Sequence, residues 1–288
     1  MSTEMVETLE SVMREIRSRI NVEDDAVAVP TAEIEALKRH TVVVMPAGGK
    51  GDRIRSETQN EGINKVMICV GGGQSMIERT VCEYSAAGVR HFVVLTGFLA
   101  DKVEAHLGDG SRFGVEIKYS SDPDGRKVGN AGAILNALNN GTIDSRMTAI
   151  VHNPDDMIVG LKRPCADVFL EGHLRARKRG CIATFIVVPA TPYSYSGMII
   201  QKGRITDIVK YPMIAVPAHT GITVFDPPVY DYFRRLVSLE VESSFENVVA
   251  PAIARDGLLY ALNIPPESWI PVNDRKGIEA ARRALGCA

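Results

Sequence analysis

The sequence predicts an α/β fold, Rossmann-like and doubly wound, built on a mainly parallel mixed sheet with a helical extension at the N-terminus. The prediction rests first on short apolar runs rich in β-branched residues, at residues 41–45, 92–95, 149–151, 183–188 and 222–225. It rests second on helical patterns between the early runs, at residues 76–87 and 131–138. Short apolar strands that alternate with helices are typical of βαβ units with right-handed crossovers, which bury both faces of the sheet.

The first 40 residues precede these runs and differ from them. Residues 5–20 place apolar side chains at helical spacing, which predicts an amphipathic helix that packs against the body of the protein, a second subunit or another partner. Residues 31–40 predict a second, short helix after a proline. We therefore expect a helical extension over residues 1–40 and one large domain over residues 41–288. Within that domain, residues 190–270 are rich in Pro, Tyr and Gly, and we expect a mixed extension that covers the carboxyl ends of the strands.

Charge, hydropathy and cysteine spacing argue against several classes of protein. The chain has 288 residues, with 33 Lys and Arg against 35 Asp and Glu, and this net charge of −2 argues against a dedicated nucleic-acid binder. No apolar run approaches the ~20 residues of a membrane helix, and the acidic N-terminus lacks the layout of a secretory signal. The five cysteines show no CxxC spacing, which argues against a zinc site or a disulfide framework. We expect a cytoplasmic protein with no nucleic-acid or membrane partner.

A glycine-rich loop after the first apolar run is the strongest local signal. Residues 42–53 read VVVMPAGGKGDR, so a buried strand leads directly into three glycines at residues 48–51. Glycines here allow backbone N–H groups to approach phosphate oxygens, and Lys50 and Arg53 add positive charge for a polyphosphate. The spacing matches neither the GxxxxGK[ST] loop nor the GxGxxG fingerprint. A purely structural glycine-rich turn is the alternative.

The loop and several later segments resemble, in order, the motifs of the sugar-1-phosphate nucleotidyltransferases, or nucleoside-diphosphate-sugar pyrophosphorylases. Residues 47–54, AGGKGDRI, are similar to the AGGxGTRL signature of that family. The other similar segments are NKVM at 64–67 with GGG at 71–73 and MIE at 76–78, GNAGAI at 129–134, HNPDD at 152–156, GITVF at 221–225, SFE at 244–246 and VNDR at 272–275. The resemblance extends over about residues 41–285 and implies a nucleotidyltransferase catalytic domain over residues 41–288.

This resemblance implies a reaction, a cofactor and a set of site residues. The reaction is transfer of a nucleotidyl group from a nucleoside triphosphate to a sugar-1-phosphate, or to a related polyol or cyclitol phosphate, with release of pyrophosphate. The implied cofactor is Mg²⁺. We also expect the chain to form a homo-oligomer, with a dimer as the first candidate. The implied residues are Arg53, Lys65 and Asp155 for catalysis, Ala47, Gly48, Gly49, Lys50, Gly51, Gly129 and Asn130 for the nucleotide, Gly197, Lys210 and Glu246 for the acceptor, and Asp155 and Asn273 for the metal.

The acidic residues after the third apolar run suit this chemistry by themselves. Asp155 and Asp156 follow a strand, and a carboxylate at the carboxyl end of a strand is well placed for Mg²⁺, with a turn or helix cap as the alternative. Asp155 occupies the motif position and Asp156 ranks second. Asp274 is the alternative metal ligand to Asn273, and His152 is expected to be structural rather than a base.

Departures from the family pattern bear on the substrates. Lys210 and Tyr211 occupy positions where relatives have Glu and Lys, which favours an atypical sugar phosphate or a cyclitol phosphate as acceptor. Asp52 replaces the usual Thr beside the phosphate loop. Between Tyr119 and Gly129 the chain lacks the Gln of pyrimidine-specific relatives, which favours a purine nucleotide, with guanine the first candidate.

Two other functions stay open at this point. One is a non-catalytic scaffold or regulatory protein that keeps the fold and binds a nucleotide sugar, since the residues at 210 and 211 depart from the family pattern. The other is a cytidylyltransferase that acts on a non-sugar phosphate such as phosphocholine.

Overall fold

The structure is a computed structural model in which residues 28–51, 54, 58, 62–193 and 195–287 are described. The amphipathic helix predicted over residues 5–20 lies outside these described residues. The short second helix is confirmed and spans Thr31–Arg39, here called α1. Its apolar residues Ile34 and Leu37 are buried in the core. The domain boundary proposed at residue 40 stays a prediction.

A seven-stranded sheet forms the centre of the molecule, and four two-stranded sheets lie outside it. In the described residues the strands are β1 Thr41–Ala47, β2 Cys69–Gly71, β3 Gln74–Ser75, β4 His91–Thr96, β5 Glu116–Ser121, β6 Thr148–His152, β7 Asp156–Ile158, β8 Ala183–Val188, β9 Thr191–Pro192, β10 Gly197–Gln201, β11 Arg204–Val209, β12 Met213–Ile214, β13 Ala218–Phe225, β14 Leu259–Asn263 and β15 Trp269–Pro271. The central order is β14-β8-β13-β6-β1-β4-β5. Only β13 runs antiparallel to its neighbours, so the predicted mainly parallel mixed sheet is confirmed.

Helices cover both faces of this sheet. After α1 the described α-helices are α2 Met76–Ala86, α3 Ala100–Leu107, α4 Gly129–Asn139, α5 Cys165–Lys178, α6 Val229–Leu236, α7 Phe245–Arg255 and α8 Arg275–Ala284. Helices α1, α2, α3 and α5 pack with Val43 and Met45 of β1, whereas α4, α6 and α7 pack with Val42 and Val44. Alternate residues of one strand therefore point into two separate cores, as a doubly wound fold requires. Among these helices, none has the length and the apolar run needed to cross a bilayer.

Local sequence explains where α2 begins and which face it buries. The Ser75 hydroxyl accepts a hydrogen bond from the Glu78 backbone N–H, and the Glu78 carboxylate accepts one from the Ser75 backbone N–H at 2.9 Å, which is a complete capping box. Ile77, Val81 and Tyr84 follow at helical spacing and are fully buried. The cap therefore fixes the start of the helix, and the apolar stripe fixes its orientation on the sheet.

The prediction for residues 190–270 is wrong in part. The small sheets β9–β12 and β10–β11 do lie outside the central sheet, but β13 and β14 are central strands, and α6 and α7 cover one of its faces. The apolar core of β13 is a short run at residues 222–225, so the Pro and Tyr content on either side of it dominates the composition. The elements α3, β5 and α5 have no predicted counterpart because polar residues fill much of each: in β5, for example, only Ile117 and Ser120 are buried.

A buried charged cluster holds α5 against the amino end of β6. Arg177 of α5 donates from Nε to Asp226 Oδ2 at 2.7 Å, and its Nη2 contacts Oδ1 of the same carboxylate. Thr148 Oγ1 donates to Asp226 Oδ1 at 2.9 Å, and His173 Nε2 lies 3.2 Å from that oxygen. Burial by itself raises the pKa of Asp226, but the adjacent His173 and Arg177 outweigh burial and hold the pKa well below its usual range.

We expect Asp226→Asn to lower the free energy of unfolding by about 2–3 kcal/mol, because it leaves part-buried Arg177 without its anion. Denaturant unfolding at neutral pH measures this change. The pKa of Asp226 is lower in the folded than in the unfolded state, so its contribution to the free energy of unfolding is present above pH ~4 and is lost as the pH falls further. The difference in the free energy of unfolding between wild type and variant therefore becomes smaller at low pH.

The matched control is Asp144→Asn, which breaks an ion pair with Arg146, a side chain that is 88% exposed. An exposed pair contributes at most about 1 kcal/mol, so this variant should unfold close to wild type. Equal losses in the two variants would contradict the assignment of Asp226 as a core contact.

Candidate active site

The carboxyl ends of four neighbouring strands meet at one edge of the central sheet. Gly48 follows β1, Gly97 follows β4, Asp122 follows β5 and Asn153 follows β6. The loops after β1 and β4 touch, since the Phe98 N–H donates to the Gly48 carbonyl at 3.2 Å. Ligands of open α/β sheets bind at this edge, so the glycine loop and the predicted metal ligand lie on the same side of the fold.

Asn64 fixes the short helical turn Lys65–Met67 to this edge. Its side chain is fully buried, and Nδ2 donates to the carbonyls of Ala47 at 2.8 Å and Phe98 at 2.7 Å. Its Oδ1 accepts from the Val66 N–H at 3.2 Å. One amide therefore ties the ends of β1 and β4 to the turn that presents Lys65. The sequence predicted Asn64 only as part of a motif, without this role.

Lys65 joins three segments that are far apart in sequence. Its ammonium contacts Asp155 Oδ2 and lies 3.3 Å from Asn273 Oδ1. The Val272 N–H donates to the Asp155 carbonyl at 2.7 Å, so the segments that carry Asp155 and Asn273 are also hydrogen-bonded through their backbones. Three residues predicted from separate motifs thus lie in one cluster, part-buried at the carboxyl edge of β6.

This cluster has a donor set that fits a magnesium ion. The oxygens of Asp155 and Asn273 already converge on one cation, the Lys65 ammonium, and carboxylate and amide oxygens are ligand types that Mg²⁺ accepts. Within the described residues, no group of three or more His, Cys, Asp and Glu could hold a metal. A magnesium ion here would therefore take further ligands from phosphate oxygens and water. Asp274, the alternative ligand, instead caps α8 by accepting from the Gly277 N–H at 2.8 Å.

Asp156 and His152 are structural neighbours of this cluster. Asp156 accepts hydrogen bonds from Asn153 Nδ2 at 3.2 Å and Trp269 Nε1 at 3.1 Å, and a Cβ at Gly221 would lie 2.0 Å from its Oδ2. Burial and the charge of Asp155 raise the pKa of Asp156 to about 7. His152 is buried with Nδ1 against the Tyr84 hydroxyl and Nε2 against the Asp156 carbonyl, and burial lowers its pKa to about 4. Among the described hydrogen bonds, none joins either side chain to Lys65, although the charge of Lys65 acts to lower the pKa of Asp156.

The predicted nucleotide residues line two adjoining clefts beside the glycine loop. Gly48, Gly49, Gly129 and Asn130 line a cleft of about 560 Å³. Gly48 and Lys50 line the second, of about 450 Å³, and both clefts share the side chains of Asp122 and Lys127. Ala47 is buried at the end of β1, beneath the loop, and Gly51 lies against the Lys65 side chain.

One side of the larger cleft is built from two helix starts. Gly129, with φ +75°, begins α4, and a Cβ on it would lie 2.2 Å from the Ser243 carbonyl. Asn130 Oδ1 accepts from the Phe245 N–H at 2.8 Å, and its Nδ2 donates to Glu246 at 3.3 Å. The amino ends of α4 and α7 therefore lie side by side, and their helix dipoles favour an anion at this wall.

The predicted acceptor residues are divided between two places. Glu246 lies beside Asn130 at the larger cleft, as described. Gly197 and Lys210 instead belong to the β10–β11 hairpin, where Gly197 pairs with Val209 and the Lys210 ammonium lies 5.5 Å from the Tyr211 ring. Among the described contacts, none joins Lys210 to the Lys65 cluster. The structure therefore brings Glu246 to the site and leaves Lys210 on the neighbouring hairpin.

Arg53 and Asp52 lie outside the described residues, so their positions stay predictions. The sequence missed Asp122 and Lys127, which line both clefts. Part of their signal was available, since both precede the glycine-rich start of α4, but the strand that they follow, β5, is too polar to be predicted.

Comparison with known proteins identifies the family of this chain. A family model described as nucleotidyl transferase matches residues 42–274. The chain is 28% identical to a UTP–glucose-1-phosphate uridylyltransferase of Synechocystis sp. over 78% of its length, and 25% identical to a mannose-1-phosphate guanyltransferase beta-A of Xenopus laevis over 80%. It spans 58% and 60% of those two relatives.

A solved structure shares the fold. It is a Bacillus anthracis protein assigned as a glucose-1-phosphate thymidylyltransferase and bound to sucrose, with a TM-score of 0.63 and 20% identity over 86% of this chain and 95% of that one. The family match covers most of the chain and every described residue of the Lys65 cluster. This chain belongs to the nucleotidyl transferase family.

Proposed function

We propose that the protein transfers a nucleotidyl group from a nucleoside triphosphate to a sugar-1-phosphate, or to a related polyol or cyclitol phosphate, in a magnesium-dependent reaction. The observation that carries the proposal is the convergence of Lys65, Asp155 and Asn273, with the Lys65 side chain against Gly51 of the glycine loop. The names of the relatives support a sugar-1-phosphate as the acceptor class.

In the proposed reaction, an oxygen of the acceptor phosphate attacks the α-phosphorus of the triphosphate. A new P–O bond forms while the bond from the α-phosphorus to its bridging oxygen breaks, and pyrophosphate leaves with that electron pair. Such a transfer depends on positioning and on stabilisation of charge rather than on a covalent enzyme intermediate. Nothing in it requires a nucleophilic side chain.

The residues of the site supply what this step needs. Backbone N–H groups at Gly48–Gly51 and at the start of α4 bind phosphate oxygens, and Lys50 adds a cation at the mouth of the smaller cleft. Lys65 presents its ammonium at the reacting phosphate, held there by Asn64. Asp155 and Asn273 would hold a magnesium ion, which would supply charge neutralisation and alignment of the reacting oxygens.

The scaffold alternative is less well supported than catalysis. A protein that only binds a nucleotide sugar gains nothing from an acid, an amide and an ammonium that converge at one point outside the clefts. Part burial of the Lys65 ammonium is unfavourable, and the Asp155 carboxylate offsets this cost. We therefore favour an active enzyme.

We expect Asp155→Asn to reduce turnover by about 10²- to 10³-fold, because it removes the carboxylate that binds the metal. Pyrophosphate release with each nucleoside triphosphate and a panel of sugar and cyclitol phosphates measures it, with EDTA expected to abolish release and Mg²⁺ to restore it. The matched control is Asp274→Asn, which retains a helix-capping side chain and should keep near-normal activity. Normal activity of Asp155→Asn would disprove the metal assignment.

We expect Gly129→Ala to raise the KM for the nucleotide by at least about tenfold, because its methyl group collides with the Ser243 carbonyl and moves the start of α4. Gly141→Ala is the control at the other end of the same helix. Gly141 has a similar φ of +77° but no atom within 4 Å of an added Cβ, so it reports backbone strain alone. Similar kinetics in the two variants would show that the Ser243 contact is unimportant for the nucleotide.

We propose that Lys210, although it lies on the neighbouring hairpin, donates a charged hydrogen bond to the acceptor phosphate. Lys210→Ala should then raise the KM for the acceptor about tenfold or more while the KM for the nucleotide stays constant. Lys202→Ala, at the turn of the same hairpin, is the control for a general effect of charge. An unchanged KM for the acceptor would show that Lys210 does not bind the acceptor.

A further inference from the structure

One face of the β10–β11 hairpin is apolar and exposed. The strands pair Met198 with Ile208 and Ile200 with Ile205, and residues paired across an antiparallel ladder share a face. These four side chains are 54–61% exposed, so among the described residues none covers the face that they form. Side chains of this kind are usually buried, and a contiguous exposed patch of them is typical of an interaction surface.

A β-bulge in β11 creates this face. Strict alternation would place Ile205 and Ile208, three positions apart, on opposite sides of the strand. Where the ladder advances by one residue on β10, it advances on β11 from Asp207 to Ile205, so Thr206 is the extra residue. The bulge therefore brings Ile205 and Ile208 to the same side and leaves the charged Asp207 on the other.

The charge of the hairpin restricts what can cover the apolar face. Its tip, residues 201–204, is polar, so the hairpin does not present an apolar end to a bilayer. Residues 197–210 carry three basic residues and one acidic residue, namely Lys202, Arg204, Lys210 and Asp207. Two such hairpins stacked face to face would bring like charges together, which is unfavourable. The chemistry favours an occupant that is apolar on one side and acidic overall.

The first 27 residues of the chain have both properties. They contain seven acidic and three basic residues. A helix over residues 5–20 would be ~24 Å long, close to the ~20 Å of the six-residue strand β11, so the two surfaces match in length. The apolar side chains that share one stripe of the predicted helix are Met5, Leu9, Val12, Met13, Ile16 and Ile20.

The connection to the body of the protein is long enough for this contact within one chain. The described chain begins at residue 28, and Val29 packs against the core beside α1. Three strand spacings separate β1 from β8, and the diagonal from the amino end of β1 to the carboxyl end of β8 is ~27 Å. Residues 21–27 can span ~24 Å when extended, and the helix adds its own ~24 Å. The helix can therefore lie along the hairpin that follows β8.

We propose that residues 5–20 form an amphipathic helix that docks, within the same chain, on the apolar face of the β10–β11 hairpin. The helix buries its apolar stripe against the four exposed hairpin side chains, and its acidic residues lie near the cations of the hairpin. Packing against a helix is also what a two-stranded hairpin needs to be stable in water. The contact holds in place the hairpin that carries Gly197 and Lys210, but it does not depend on the proposed reaction.

Hydrogen–deuterium exchange of the full chain tests this contact from both sides. Ile16→Glu places a carboxylate in the apolar stripe, and a buried carboxylate without a partner is unfavourable, so amide exchange of residues 197–209 should become at least about tenfold faster. Ile200→Glu should accelerate exchange of residues 5–20 by a similar factor. If either variant leaves exchange of the opposite segment at the wild-type rate, the proposal is overturned.

The matched controls add the same carboxylate to the opposite faces. Ser18 lies about 200° from Ile16 around a helix, and Gln201 follows Ile200 on the other face of β10. Ser18→Glu and Gln201→Glu should therefore exchange as wild type does in both segments.

Two further measurements separate this occupant from the others. Analytical ultracentrifugation should show the same assembly for wild type and all four variants, because the contact lies within one chain. A dimer that Ile200→Glu dissociates would assign the apolar face to a second copy and overturn the proposal. Slow exchange of the hairpin that appears only with vesicles of anionic phosphatidylglycerol would assign the face to a membrane surface and overturn it equally. Since none of these measurements needs turnover, their outcome is independent of the proposed reaction.

Discussion

The contact between the Lys65 ammonium, Asp155 and Asn273 is the interaction on which the rest of the site depends. A part-buried ammonium is unfavourable unless opposite charge and acceptor oxygens surround it, so the three segments must meet for the cluster to exist. Their meeting fixes the connection after β1, the end of β6 and the start of α8 relative to one another. The same pairing places a carboxylate and an ammonium together, as the proposed nucleotidyl transfer requires.

Backbone architecture delivers the other parts of the site to the same edge. Parallel neighbours place the ends of β1, β4, β5 and β6 side by side, and the Asn64 amide bonds two of those ends to the turn of Lys65. On the far wall, Asn130 joins the amino ends of α4 and α7. The amides of buried Asn64 and part-buried Asn130 thus position the segments around the clefts.

The sequence predicts the parts of this structure that rest on local pattern. Apolar runs and glycine spacing were sufficient to predict β1, β4, β6, β8, α2 and α4. The order of the motifs was sufficient to assign Lys65, Asp155 and Asn273 to one site. Contacts between distant segments could not be predicted in this way. The central position of β13 and β14 depends on pairing with β8, and the roles of Asn64 and Asp122 depend on loops from other strands that a linear pattern does not contain.

The antiparallel direction of β13 also keeps the long connection between β8 and β13 apart from the two hydrophobic cores. Because β8 ends and β13 begins at the same edge of the sheet, the connection between them returns without crossing a face. The described part of residues 189–217, including the β10–β11 hairpin, therefore remains at the carboxyl edge of β8. Such a segment can gain, lose or exchange residues while the two cores stay intact, so the acceptor contacts proposed for it can change at little risk to folding.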